Sequence, residues 1–102
     1  MFPGRSTALS AISPQSATLA NVASSATSVT IFAAATGNVR GRTVFNDSTA
    51  VLYLKFGATA SATSYTVQLA ASAFYEFPQP VYGGLVDGIW AAANGNARVT
   101  SW

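Results

Sequence analysis

The chain has 102 residues, which is enough for one domain and too few for two. Half of the residues are hydrophobic and 12% are aromatic, so a hydrophobic core can form, but only 8% are charged and the net charge is +2. An average globular domain has roughly 25% charged residues. A surface of Ala, Ser and Thr packs against a neighbouring protein at little desolvation cost. We therefore favour a protein that works in contact with others over a merely uncharged monomer.

The side chains on which most catalytic and metal sites depend are missing. The sequence has no Cys and no His, which excludes disulfides, thiolate or imidazole metal sites, and Ser–His–Asp or Cys–His catalysis. Three carboxylates remain, at Asp47, Glu76 and Asp87. Glu76 and Asp87 could face each other across neighbouring strands, but nothing marks the cleft that a pair of catalytic carboxylates needs. We expect no enzymatic activity, no cofactor and no metal.

The basic residues are few and scattered. Arg40 and Arg42 form the one local pair, and alternation along a strand would place both on one face. We interpret this pair as a solvated face or an interface contact, because nucleic-acid binding needs a stripe of many basic side chains. No stretch approaches the ~20 apolar residues of a membrane-spanning helix. We expect neither a nucleic acid nor a membrane as partner.

Residues 1–20 form one compositional unit rich in Ala, Ser, Thr and Pro. Single apolar side chains are spaced along it at Phe2, Leu9, Ile12 and Leu19. A segment with so few large apolar groups does not offset its own ordering entropy. We predict an extended N-terminal arm whose apolar side chains anchor in pockets of another subunit, and we assign residues 21–102 to the folded domain.

The rest of the chain alternates short β-forming runs with turn residues, and no segment has a convincing helical period. The runs cover residues 29–32, 42–45, 51–56, 65–69, 74–77, 85–91 and 97–102. Asn46 to Ser48 form a turn cluster, residues 37–41 resemble a hairpin loop, and Asn94-Gly95 is a hairpin signal that would pair the last run with the one before it. Seven or eight short strands predict an all-β antiparallel sandwich or jelly roll, with an incomplete barrel as the alternative.

Aromatic side chains supply both the expected core and the expected contact residues. We assign to the core the aromatic residues that fall in strand patterns, namely Phe32, Phe45, Phe56, Tyr65 and Trp90. Tyr75 and Tyr82 flank a proline-containing turn, where they either pack as a connection that caps the sandwich or form a stacking platform for a sugar or a peptide. Trp102, the last residue, inserts either between the sheets or into a neighbour.

A series of short motifs runs between Arg42 and Trp102. The motifs are FNDST from residue 45, VLYLKFG from 51, SYTVQL from 64, FYE from 74, YGG from 82, DGIWA from 87 and ARVT from 97. Their order resembles a group of small proteins encoded among the structural genes of tailed bacteriophages. The resemblance covers about sixty residues and leaves the first twenty outside. It implies a virion component assembled in the host cytoplasm, and it carries no catalytic residues.

From the resemblance and the composition together, we expect a capsid cement, or decoration, protein. Such a protein binds across subunits of the major capsid protein and stabilises the shell by summing many modest contacts. Its partners would be the major capsid protein, copies of itself, or both, and a trimer is the expected homo-oligomer. A tail, neck or fibre component is the alternative, and a carbohydrate-binding module using Tyr75, Tyr82 or Trp90 is a further one.

Overall fold

A computed structural model describes residues 15–102, and over this range the chain is all-β. Two four-stranded antiparallel sheets form a sandwich, which confirms the predicted fold class. The predicted anchors Phe2, Leu9 and Ile12 lie outside the described residues. Within the described part of the chain, no helix is long and apolar enough to cross a membrane.

Eight strands make up the two sheets. They are β1 (Thr18–Ala23), β2 (Val29–Phe32), β3 (Arg42–Asp47), β4 (Leu52–Phe56), β5 (Val67–Leu69), β6 (Phe74–Glu76), β7 (Val86–Trp90) and β8 (Asn96–Ser101). The strand order is β1-β8-β3-β6 in the first sheet, called sheet A here, and β2-β7-β4-β5 in the second, called sheet B. Every strand pair is antiparallel.

Two predicted hairpins are wrong, because both connections cross from one sheet to the other. β7 belongs to sheet B, whereas β8 lies between β1 and β3 in sheet A. Residues 37–41 likewise link β2 in sheet B to β3 in sheet A. At the β7–β8 crossing Gly95 has a φ of +70°, and a Cβ there would lie 2.2 Å from the carbonyl oxygen of Asp47. The glycine is needed for a close crossing between sheets.

Strand β1 begins at Thr18, inside the segment expected to be an arm. Its six residues pair in an unbroken register with β8, from Thr18 opposite Ser101 to Ala23 opposite Asn96. β1 is largely exposed along its length. The sheet therefore takes in the last three residues of the expected arm.

The core lies between the sheets and consists of large apolar side chains from both. Trp90, Leu52, Leu54 and Val86 come from sheet B and Val44 from sheet A. Each of these five is at most 2% exposed. Full burial of one such side chain contributes about 1.5–3 kcal/mol, so this cluster supplies the main stabilisation of a domain that has no disulfide.

Asn46 is wholly buried in this core and joins the two sheets. Its Nδ2 donates to the carbonyl oxygens of Ala50, Leu69 and Ala70 at 2.8–3.1 Å. Its Oδ1 accepts from the indole Nε1 of Trp90 at 3.1 Å. The prediction of a turn from Asn46 to Ser48 is therefore wrong for its first two residues. β3 continues to Asp47, and the amide of Asn46 faces inward.

Arg42 is also buried, at 2% exposure, so its assignment to a solvated face or an interface contact is wrong. Its Nη1 donates to the carbonyl oxygens of Tyr82 and Gly84 at 3.0 and 2.8 Å, and its Nη2 donates to that of Ala33 at 3.0 Å. The guanidinium lies 4.6 Å from the centre of the Phe32 ring. The pKa of Arg42 is lowered, because the effect of burial outweighs the electrostatic interaction with Tyr82, which raises it. Arg42 thus fastens the 82–84 segment to sheet A.

Three other expectations need correction. Tyr65 is 41% exposed and packs on Tyr53 at the surface, with ring centres 5.0 Å apart. Phe45 alternates with the buried Val44 and is half-buried on the outer side of sheet A. The carboxylates considered as a pair lie in different sheets, with Glu76 on β6 and Asp87 on β7. Neighbouring strands therefore do not bring these two carboxylates together.

Candidate partner-binding surface

The outer face of sheet A is one of the two sheet faces that point away from the core. In β8 and β3 the buried residues Ala97, Val99 and Val44 point inward. Alternation then directs their neighbours outward. The registers place the outward residues in two rows across the sheet, namely Leu19–Thr100–Thr43–Glu76 and Asn21–Arg98–Phe45–Phe74. This set of eight side chains is called the outer face below.

Two large apolar side chains stand out from the outer face. Leu19 is 74% exposed and Phe74 is 61% exposed, the highest values among large apolar residues of the described chain. Leu19 lies on β1 and Phe74 on β6, which are the two edge strands of sheet A. The outer face thus presents an apolar group near each edge, with threonines and a half-buried Phe45 between them.

The charges on and beside the outer face largely cancel. Arg98 Nε donates to Asp47 Oδ2 at 2.7 Å, and both side chains are exposed, at 58% and 43%. Arg98 Nη1 also donates to Asn21 Oδ1 at 3.4 Å. An exposed pair of this kind contributes about 0–1 kcal/mol to stability. The pair neutralises the charge of Arg98 at the surface. Glu76 is then the one charged side chain of the outer face that this pair does not neutralise.

Tyr75 and Tyr82 sit at opposite ends of a row of aromatic rings. Tyr82 stacks on Phe56 with centres 4.7 Å apart and an interplanar angle of 9°. Phe56 stacks on Phe77 at 4.9 Å, and Tyr75 packs on Phe77 at 5.4 Å. Both tyrosines are half-buried against the core. Because two phenylalanines separate them, the arrangement caps the sandwich, and the tyrosine rings do not form one joint platform.

Trp102 lies over the start of β3. Its backbone N donates to the carbonyl oxygen of Gly41 at 3.1 Å, and its carbonyl oxygen accepts from the N of Arg40 and of Gly41. The indole covers Gly41 so closely that a Cβ there would fall 2.1 Å from Cζ2. The side chain is half-buried. Trp102 therefore closes one end of sheet A and does not insert into the core.

The four predicted contact residues that lie in the described chain are not brought together. Leu19 is on the outer face, Tyr75 and Tyr82 belong to the aromatic row, and Trp102 covers Gly41. Sequence reasoning missed Phe74, the other prominent side chain of the outer face. Alternation places Phe74 and Phe77 on opposite sides of the run 74–77, but both are phenylalanines, so the sequence did not show which of the two is exposed.

The chain was compared with protein-family models, with curated proteins and with solved structures. No protein-family model, no curated protein and no solved structure matches the chain.

Proposed function

We propose that this chain is a structural protein of a tailed-bacteriophage virion, and specifically a capsid cement protein. It binds across subunits of the major capsid protein and stabilises the assembled shell. The observation that carries the proposal is the outer face, which exposes Leu19 and Phe74 on a nearly neutral sheet. The motif order between Arg42 and Trp102 supports the virion as the location.

The energetics of the outer face suit a protein that acts in many copies. Burying Leu19 and Phe74 against a partner would contribute about 1.5–3 kcal/mol each. This is modest for a single contact once the cost of association is subtracted. Repetition over a symmetric shell, where neighbouring contacts form at high effective concentration, turns a modest contact into a stable coat.

A tail, neck or fibre component could use the same outer face within a ring or stalk, and copy number separates the two proposals. Shells repeat a subunit on the order of hundreds of times, whereas rings and fibres repeat it about three to a dozen times. Quantitative mass spectrometry of purified particles against the major capsid protein measures this ratio. A count in the hundreds is expected. A count near six or twelve would move the protein to the neck or tail, and its absence from particles would overturn the virion proposal.

A binding experiment tests the outer face itself. Phe74→Ser removes the exposed ring from β6. The matched control Tyr65→Ser removes an exposed ring that lies just before β5 of the other sheet. In co-sedimentation with purified shells, we expect Phe74→Ser to lose binding and Tyr65→Ser to retain it. Equal binding by both variants and the unchanged protein would show that the outer face is not the contact surface.

The arm requires a separate truncation. β1 begins at Thr18, so deleting residues 1–14 tests the predicted anchors Phe2, Leu9 and Ile12 without cutting the sheet. The expected result is a folded domain with weakened shell binding. Unchanged binding would show that the arm takes no part in shell binding. The outer face would then be the one proposed contact surface.

A further inference from the structure

The four edge strands of the sandwich are unequally protected against pairing with another chain. β5 and β6 have only three residues each, and β2 has four with a register shift between Thr30 and Phe32. Short strands and bulges are the usual devices that prevent edge pairing, as are charges and prolines. β1 has none of them: its six residues, TLANVA, are uncharged and pair with β8 in an unbroken register. No described strand covers its other edge.

The hydrogen-bond pattern identifies which backbone groups of β1 face that open edge. The N of Ser24 donates to the carbonyl oxygen of Gly95, which continues the β1–β8 ladder by one pair. In an antiparallel ladder the pairs that exchange hydrogen bonds alternate with pairs that do not. Thr18, Ala20 and Val22 therefore bond to β8. The N–H and C=O groups of Leu19, Asn21 and Ala23 point away from it.

We propose that β1 is a self-association surface, on which two copies pair antiparallel about a two-fold axis at Ala20. In this register Leu19 of each copy bonds to Asn21 of the other. Both of these residues point to the outer side of the sheet, so the outward and inward faces match across the seam. The two Leu19 side chains become diagonal neighbours within reach of each other. The result is a continuous eight-stranded sheet formed from two copies of sheet A.

A second copy fits the open edge better than an unrelated strand, because a strand edge is complementary to itself under a two-fold axis. The seam brings together neutral residues, since β1 holds no charge. Growth stops at two copies, because β6, at the far edge of the same sheet, is short and carries Glu76. This predicts a dimer where the sequence analysis expected a trimer. The inference goes beyond shell binding and does not depend on it.

Cysteine crosslinking tests the pairing directly, since the chain has no cysteine of its own. Ala20→Cys on the full-length protein places two thiols opposite each other at a pair that exchanges no hydrogen bonds, where Cα atoms are ~4.5 Å apart. That separation lies within the range of a disulfide. The matched control is Ala71→Cys, at an exposed position outside the strands. Under mild oxidation we expect Ala20→Cys to form a crosslinked dimer and Ala71→Cys to remain a monomer on a non-reducing gel. Equally slow crosslinking of both would overturn the proposal.

A second pair of variants separates the contribution of the backbone hydrogen bonds at Leu19 from that of its side chain. Leu19→Pro removes an N–H that faces the open edge and leaves the β8 ladder intact, a position where edge strands tolerate proline. Leu19→Ala also removes the leucine side chain beyond Cβ but keeps the N–H. By light scattering we expect dimers for the unchanged protein and for Leu19→Ala, and a monomer for Leu19→Pro, with the same circular dichroism. A monomeric or trimeric unchanged protein, or a dimeric Leu19→Pro, would contradict the pairing. Should Leu19→Pro not fold, the crosslinking result decides.

Discussion

Replacing Asn46 by Ala should be among the most damaging single changes in this domain. The substitution removes both halves of a wholly buried amide. The indole Nε1 of Trp90 then loses the acceptor that Asn46 provides. The three carbonyl oxygens that Asn46 bonds are less affected, because each has a second donor. Ala50 also accepts from Ser48 Oγ, Ala70 from the N of Ala73, and Leu69 pairs with Leu52 in the β4–β5 ladder.

Each buried polar group left without a partner costs about 1–3 kcal/mol. The indole N–H is one such group, and each of the two amide N–H groups of Asn46 adds about 0.5–1.5 kcal/mol for its lost hydrogen bonds. The total loss is about 2–6 kcal/mol, which is a large part of the ~5–15 kcal/mol that stabilises a typical domain. The midpoint of this range, about 4 kcal/mol, would lower the Tm of a domain of this size by more than ~15 °C. A loss below ~1 kcal/mol would mean that water or a rearranged side chain satisfies the indole N–H.

A double-mutant cycle isolates the contact between the sheets. Trp90→Phe removes the indole donor, so Asn46→Ala made in that background no longer leaves an indole N–H without a partner. Its cost should fall by about 1–3 kcal/mol, and this difference is the coupling energy. Urea unfolding followed by far-UV circular dichroism suits all four proteins, because Trp90→Phe also removes a fluorophore. Additivity within ~0.5 kcal/mol would refute the assigned hydrogen bond between Asn46 and Trp90.

Two further changes test the corrected parts of the fold. Arg42→Lys should lower the free energy of unfolding by about 2 kcal/mol, because an ammonium group cannot reproduce the fork that bonds the 82–84 carbonyls and Ala33; an unchanged urea midpoint would count against this role. Gly95→Ala should cost about 1–3 kcal/mol, since φ is +70° and the new Cβ would meet the Asp47 carbonyl oxygen. Gly37→Ala is the matched control for thermal unfolding, because nothing lies within 4 Å of its Cβ position and we expect almost no change.

The sequence predicted the positions of the strands well, but it predicted less well which strands pair with each other. Seven of the strands coincide with runs identified from β-forming residues and turn signals. The Asn94-Gly95 signal did mark a turn, yet the turn crosses between sheets. A local signal of this kind depends on backbone dihedral preferences over a few residues. It contains no information about whether the next strand joins the same sheet or the opposite one.

Strand β3 explains why the charged and polar core residues were missed. Its inward residues are Arg42, Val44 and Asn46, and its outward residues include Phe45. Period-2 alternation separates these two sets but does not say which set is buried. The polar set is inside because carbonyl oxygens from other segments satisfy each donor except Arg42 Nε. That outcome depends on contacts with residues up to 42 positions away in the sequence, and no local pattern carries it.

The two proposed surfaces should respond differently to substitution, because Leu19 and Phe74 lie on opposite edge strands of sheet A. Phe74→Ser should abolish shell binding and leave the dimer intact, since β6 takes no part in the seam. Leu19→Pro should abolish the dimer and also weaken shell binding, because it removes the Leu19 contact of the outer face and because a monomer loses the avidity of two linked contact surfaces. Light scattering and shell co-sedimentation on both variants measure this asymmetry. If Phe74→Ser also dissociated the dimer, or if Leu19→Pro bound shells as tightly as the unchanged protein, the assignment of self-association to β1 and of shell contact to the outer face would be wrong.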